Sequence, residues 1–300
     1  MSDMATNVTA STDRIAQVII PRPRDIGEFT VRRALPAADC RAVGPFVFFD
    51  QMGPVVLQAG QALEVRPHPH IGLATITWLF EGEIRHKDSL GFDLVIRPGE
   101  VNWMTAGRGI VHSERSPQSQ RHASARLSGI QAWLALPLDQ EECEPGFQHY
   151  THEQFPRISQ DGVQIALIAG SAFGQRSPVV TATETLYAEL RLASGRRLHL
   201  PSLAAEQALY IASGSIELDG RHYEAGTLLV LQPGAAVLFS AATDSICMLL
   251  GGAALDGKRH LWWNFVSSSL KRIEQAKADW QSGRFGTVPG ETEFIPLPAS

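Results

Sequence analysis

"RPHPHIGLATITWLFEGEIRHKDSLG", residues 66–91, sets three histidines (His68, His70 and His86) in a stretch that otherwise alternates apolar and polar residues. Only Pro69 separates His68 from His70. A strand turns every second side chain to the same face, so these two imidazoles point the same way. The spacing recurs in "GRGIVHSE", residues 107–114, where His112 and Glu114 share a face and Ser113 turns to the other. Laid side by side in a barrel, the two segments would bring three imidazoles and one carboxylate together. Three nitrogens and one oxygen, with coordination positions left over, suit a mononuclear transition metal, and Fe(II) is a natural candidate. Mn, Co, Ni, Cu and Zn accept the same donors. The alternative reading of the two pairs is a set of solvated strand ends.

Outward from this stretch, glycine and proline interrupt the chain at short intervals, 26 and 18 of them. Between them lie short runs rich in β-branched and aromatic residues, such as "PFVFFD", "FDLVIRPG", "GVQIALIAG" and "SICMLLGG". Such runs with turn signals between them predict an all-β sandwich or barrel. A helix is expected at "SSSLKRIEQAKADWQSG", where serine caps a run of good helix formers and Gly283 stops it. "TWLFEGEIRHKDSLGFDLVIRPGEVNWMTAG" resembles "LYIASGSIELDGRHYEAGTLLVLQPGAAVLFSA" in pattern, each running strand, Gly turn, strand, "-PG-" corner and strand. Two related barrels in tandem are therefore expected. Residues 1–14 read as a disordered tail, 15–140 as a metal-binding barrel, and 141–158 as a linker. Residues 159–300 read as a metal-free barrel ending in the helix.

The composition narrows the function classes. A net charge of −5 with interspersed signs gives no basic footprint for nucleic acid or anionic membrane. The apolar runs are too short to span a bilayer, and the N-terminal residues lack the basic head and apolar core of a secretion signal. Cys40, Cys143 and Cys247 are odd in number and far apart, which fits a reducing compartment better than a disulfide framework. A cytoplasmic protein is expected, and a monomer, since no coiled-coil pattern appears.

"HPHIGLATITWLFEGEIRHKDSLG" and "IRPGEVNWMTAGRGIVHSE" closely resemble the signature of the pirin family within the cupin superfamily. "VRRALP" and "GPFVFFDQMGP" upstream, and "IQAWLALP" and "RHLWWNFVSSSLKRIEQAKADWQSGRF" downstream, extend the resemblance over nearly the whole chain. It implies a bicupin of two double-stranded β-helix barrels, with one iron in the N-terminal barrel held by His68, His70, His112 and Glu114. It also implies either of two activities. One is cleavage of a flavonol such as quercetin with O2 by a quercetin 2,3-dioxygenase-type oxygenase, with Glu114 accepting the substrate proton. The other is an iron- or redox-dependent partnership with a regulatory protein, such as a transcription factor, or with a metabolic enzyme. In one respect the chain departs from the pattern: where many members read "HPHRGFET", it has Ala74 in place of the glutamate. That would leave Glu114 as the acidic group of the metal shell. In the second half, "SLAAEQALY" and "SAATDSICM" stand where the ligand pairs are expected, and His199 and His222 are single and out of register.

The remaining candidates carry blander readings. His86 either approaches the metal region or serves its hairpin by bonding Asp88. Trp103 and Met104 suit core packing. Arg108 sits at the bend before His112, where it orients that strand, meets an anion or is simply solvated. "GRG" is no phosphate loop, because a strand follows it. Trp262 and Trp263 look like anchors for the C-terminal helix. His122, His149, His152 and His260 have no partner at metal spacing, and Cys247 should be an inert buried thiol.

Overall fold

The computed structural model describes residues 14–25 and 30–298; the expected tail, apart from Arg14, lies outside the described residues. Each half of the chain forms a seven-stranded sheet facing a four-stranded one, which is the two-barrel cupin architecture. In the first barrel the smaller sheet runs Glu64–His70, Ile110–Arg115, Ile84–Asp88, Asp93–Ile96. In the second it runs Arg197–Leu200, Val237–Ala241, Ser215–Leu218, Arg221–Glu224. All pairings within these sheets are antiparallel.

The order of elements repeats, but with a one-strand slip against the pattern read from sequence. Val101–Thr105 corresponds to Leu228–Leu231, since each pairs with the long strand that opens its repeat, Leu73–Glu81 and Glu206–Ser213. The "-PG-" corner at Pro98 therefore precedes a different strand from the one at Pro233. Both dipeptides make the same local turn, and only hydrogen-bonded pairing tells the corners apart.

The linear division into barrels is also crossed three times. The strand Ile15–Ile19 pairs with Leu228–Leu231 at the edge of the second barrel's sheet. Gly146–Tyr150, inside the stretch expected to be a linker, pairs with Val101–Thr105 and closes the matching edge of the first. The hairpin His260–Trp262/Phe265–Ser267 and the helix Leu270–Gln281 return to the first barrel, where the Val266 amide donates to the Ile71 carbonyl at 3.1 Å. In each case the segment covers an exposed sheet edge or an apolar patch, which local composition does not reveal.

The helix begins and ends where its signals lie. The Ser269 hydroxyl accepts from the Arg272 amide at the N-terminus, and Gly283 follows the C-terminus at φ +68°. Ile273 and Ala276 bury against Ile71 and Phe265, with Trp262, Trp263 and Trp280 around them. Gly72 is required beneath this layer: its φ is +68°, and a Cβ there would stand 2.0 Å from the Val266 carbonyl oxygen.

The largest hydrophobic core lies between the barrels. It joins Phe46, Phe49, Ile76, Trp78 and Ile130 of the first to Ile168, Tyr187, Tyr210 and Leu250 of the second. Polar bonds cross the same layer. The Trp78 indole donates to Glu189 at 2.8 Å, the Tyr210 hydroxyl donates to the Gln51 side chain at 2.7 Å, and the Gln51 amide donates to the Ala212 carbonyl at 3.0 Å. Among the described residues no helix is long and apolar enough to cross a membrane.

Candidate metal centre

The two segments with the repeated spacing are neighbours. Ile110–Arg115 pairs with Glu64–His70, and His112 stands directly across from His68. Alternation then turns His68, His70 and His112 into the barrel, where all three are buried. Each offers a ring nitrogen, and these nitrogens lie within 4.8 Å of one another. The Nε2 atoms of His70 and His112 are 3.1 Å apart. The opposite nitrogens are occupied: His68 Nδ1 bonds the Arg66 carbonyl at 2.9 Å, and His70 Nδ1 bonds the Asn264 carbonyl at 3.2 Å. Both Nδ1 atoms therefore carry the hydrogen, leaving each Nε2 as a lone-pair donor facing the shared centre.

The electrostatics agree. Burial holds His68 at a pKa of about 4, and burial with the neighbouring imidazoles keeps His70 and His112 well below the ordinary histidine value. The rings are neutral at physiological pH, which is the form that binds a metal.

Glu114 stands outside the cluster of three histidine nitrogens that could hold a metal. The strand pairing slips between His112 and Glu114, so that Glu114 faces Val65 on one side and His86 on the other. Its carboxylate accepts a hydrogen bond from the Thr77 hydroxyl, and burial raises its pKa. It nevertheless lines the same cavity as the three histidines.

Ala74 is placed differently from its expected role. Its side chain lies in the inter-barrel core with Ile76, Trp78 and Leu134. Thr77, which bonds Gln131 at 2.8 Å on the cavity side, is at the opposite parity of the same strand. On this backbone a side chain at 74 points away from the histidines, so its identity does not alter the acidic content of the shell.

The cavity has a volume of about 430 Å³. One wall is a stack that spacing did not disclose: Trp133 lies parallel to Phe48 at 3.9 Å, and the Arg33 guanidinium sits 4.4 Å above Phe48. Arg33 is held by a two-pronged bond to Asp50 at 2.9 and 2.8 Å. The C-terminal segment adds Trp263, Asn264 and Ile295. Trp263 thus serves the cavity as well as anchoring the helix.

The other sequence candidates resolve simply. Trp103 and Met104 are core residues. Arg108 is exposed and pairs with Glu144. Cys247 is buried, with its thiol pushed up to about 12. In the second barrel Leu198 faces Phe239 as His68 faces His112, and Leu200 faces Val237 as His70 faces Ile110. Hydrocarbon side chains thus stand at the positions of the three imidazoles. The strands that carry the three histidines correspond to "RLHL" and "VLFSA", one strand before "SLAAEQALY" and "SAATDSICM", and His199 is exposed.

The family follows from comparison with known proteins. The family model described as Pirin matches residues 28–134, and that of the Pirin C-terminal cupin domain matches 187–286. The chain belongs to the pirin family. A Pirin-like protein of Caulobacter vibrioides is 49% identical over 282 residues, 92% of this chain and 97% of the relative. A crystal structure described as quercetin 2,3-dioxygenase from Acinetobacter baumannii superposes with a TM-score of 0.88 at 32% identity, covering 95% of each chain. The bacterial pirin YhhW from Escherichia coli, solved with nickel(II), shares the fold at 19% identity, with a TM-score of 0.62 over 80% of this chain and 99% of its own.

Proposed function

We propose that this pirin is an iron(II)-dependent oxygenase of the quercetin 2,3-dioxygenase type, acting on flavonol-like substrates with O2. The observation that carries the reading is the triad of neutral imidazoles whose Nε2 atoms converge inside a cavity. The donor set fits a transition ion with open positions. His68, His70 and His112 would hold it, with Glu114 reaching in as the fourth ligand. Bound there, iron(II) supplies Lewis acidity and a path for electrons between a chelating substrate and O2.

The chain's own residues do the rest. Phe48, Trp133 and Met52 line a face suited to a flat aromatic ring system. Gln131 and the Arg33–Asp50 pair give polar contacts to ring hydroxyls. Glu114, on the strand that bears His112, accepts the hydroxyl proton as the substrate binds. The support from comparison is the similarity to the Acinetobacter baumannii quercetin 2,3-dioxygenase structure.

The test is anaerobic loading with iron(II), followed by oxygen-electrode measurement with quercetin. Substrate-dependent O2 uptake that disappears in His70→Ala and His112→Ala is expected. Iron-loaded wild type that consumes no O2 with any of a panel of flavonols would refute the reading.

A further inference from the structure

The third imidazole of the centre is held differently from the other two. His68 and His70 each fix Nδ1 on a backbone carbonyl. His112 Nδ1 instead meets the Nδ1 of His86 at 3.5 Å. His86 in turn places Nε2 on Asp88 Oδ2 at 2.9 Å, and Asp88 Oδ1 accepts from the amides of Leu90 and Phe92 at 2.9 and 3.1 Å. His86 and Asp88 are both buried, and the His86 ring stacks on Phe147 at 4.4 Å.

With a cation taking the Nε2 lone pairs of His70 and His112, which lie 3.1 Å apart, one assignment of protons on neutral rings satisfies every atom of this line. Two amides and a ring N–H converge on Asp88, which accepts all three as a carboxylate. His86 therefore carries its hydrogen on Nε2 and presents a lone pair at Nδ1. That lone pair accepts from His112 Nδ1–H, and His112 Nε2 is left bare beside His70.

We infer that Asp88 and His86 are positioning residues that set the tautomer and ring orientation of His112, and through them the metal affinity of the centre. The inference rests on the metal-binding reading above. It goes beyond that reading because it assigns work to two residues that are not ligands, and because it makes the His112 strand depend on the Ile84–Asp88 hairpin. Carboxylate–histidine pairs behind a metal ligand act in this way.

The variants distinguish the relay from simple packing. Asp88→Asn keeps an oxygen for the Leu90 and Phe92 amides but turns an N–H toward His86 Nε2. His86 must then move its hydrogen to Nδ1, where it opposes His112 Nδ1–H. His86→Leu fills the space and removes the bond. His86→Gln can accept from His112 through its oxygen and donate to Asp88 through its nitrogen.

Cobalt(II) is titrated into metal-free protein against a competing chelator, and its visible absorption is recorded. Asp88→Asn and His86→Leu should each weaken binding by about tenfold to a hundredfold and change the cobalt bands. His86→Gln should restore most of the affinity. Thermal melting of the metal-free forms separates folding from positioning, because the Asn and Gln variants should melt close to wild type. Affinity and spectra unchanged in both Asp88→Asn and His86→Leu, with wild type binding normally, would overturn the relay alone. Weakened binding that tracks lost stability, with no rescue by Gln, would also overturn it. Folded wild type that takes up no cobalt(II) would remove the metal reading and the relay together.

Discussion

His68 titrates near pH 4, and His70 and His112 are likewise pushed down, because burial and mutual repulsion disfavour the charged rings. In the unfolded chain the same groups titrate near 6.5, so between these values the unfolded state binds more protons. The stability of the metal-free protein should therefore fall as pH drops from about 6.5 toward 4. His68 alone accounts for a loss of about 3 kcal/mol by the bottom of that window. Glu114 acts in the opposite sense, since its raised pKa lets the folded state hold a proton first, but only nearer the ordinary carboxylate range. Urea unfolding of metal-free protein at stepped pH measures the slope, and His68→Leu should flatten it. A wild-type midpoint independent of pH across the window would contradict the assignment of neutral buried rings.

At the scale of an element, the segment after the first barrel is an anchor as well as a connection. Glu141 is buried, and its carboxylate pairs with the buried Arg259 guanidinium at 2.7 Å. The same group accepts from the Ser268 amide at 2.9 Å and from the Ser268 hydroxyl at 2.8 Å, just ahead of the helix Leu270–Gln281. Glu141→Ala would leave Asp256 as the carboxylate partner of Arg259, remove the acceptor of the Ser268 amide and hydroxyl, and unpin the hairpin–helix unit. A loss of about 1–3 kcal/mol is expected from the buried donors left without their acceptor, read as a lowered urea midpoint. Because this unit supplies Asn264 to His70, the variant should also bind metal more weakly, which the cobalt titration measures.

For the whole molecule, the shared core between the sheets predicts that the two barrels unfold together. Tyr210→Phe removes the hydroxyl that bonds Gln51 across this layer and leaves a buried amide oxygen without its donor. The expected cost is about 1–3 kcal/mol. Although the change is made in the second barrel, the first should lose stability equally. Far-UV circular dichroism and tryptophan fluorescence, which reports largely on the first barrel through Trp78, Trp103 and Trp133, should shift to the same lower melting temperature. Two separated transitions would show that the interface does not couple them.

Strand alternation made the shared face of His68 and His70 legible in the linear chain. Two residues apart on a strand means one face, and the apolar run after His70 marks a buried strand. The tandem repeat and the capped helix were legible for the same reason: their signals span a few residues and depend on backbone geometry alone. What only the tertiary structure decided depends on pairing between distant strands. The slip between His112 and Glu114, the inter-barrel facing of Ala74, and the exchange of Ile15–Ile19 into the second barrel are all matters of register. The cavity wall of Arg33, Phe48 and Trp133, and the reach of Asp88 through His86 to His112, join residues whose local sequence carries no mark of their meeting. Burial and hydrogen bonding across the sheets bring them together.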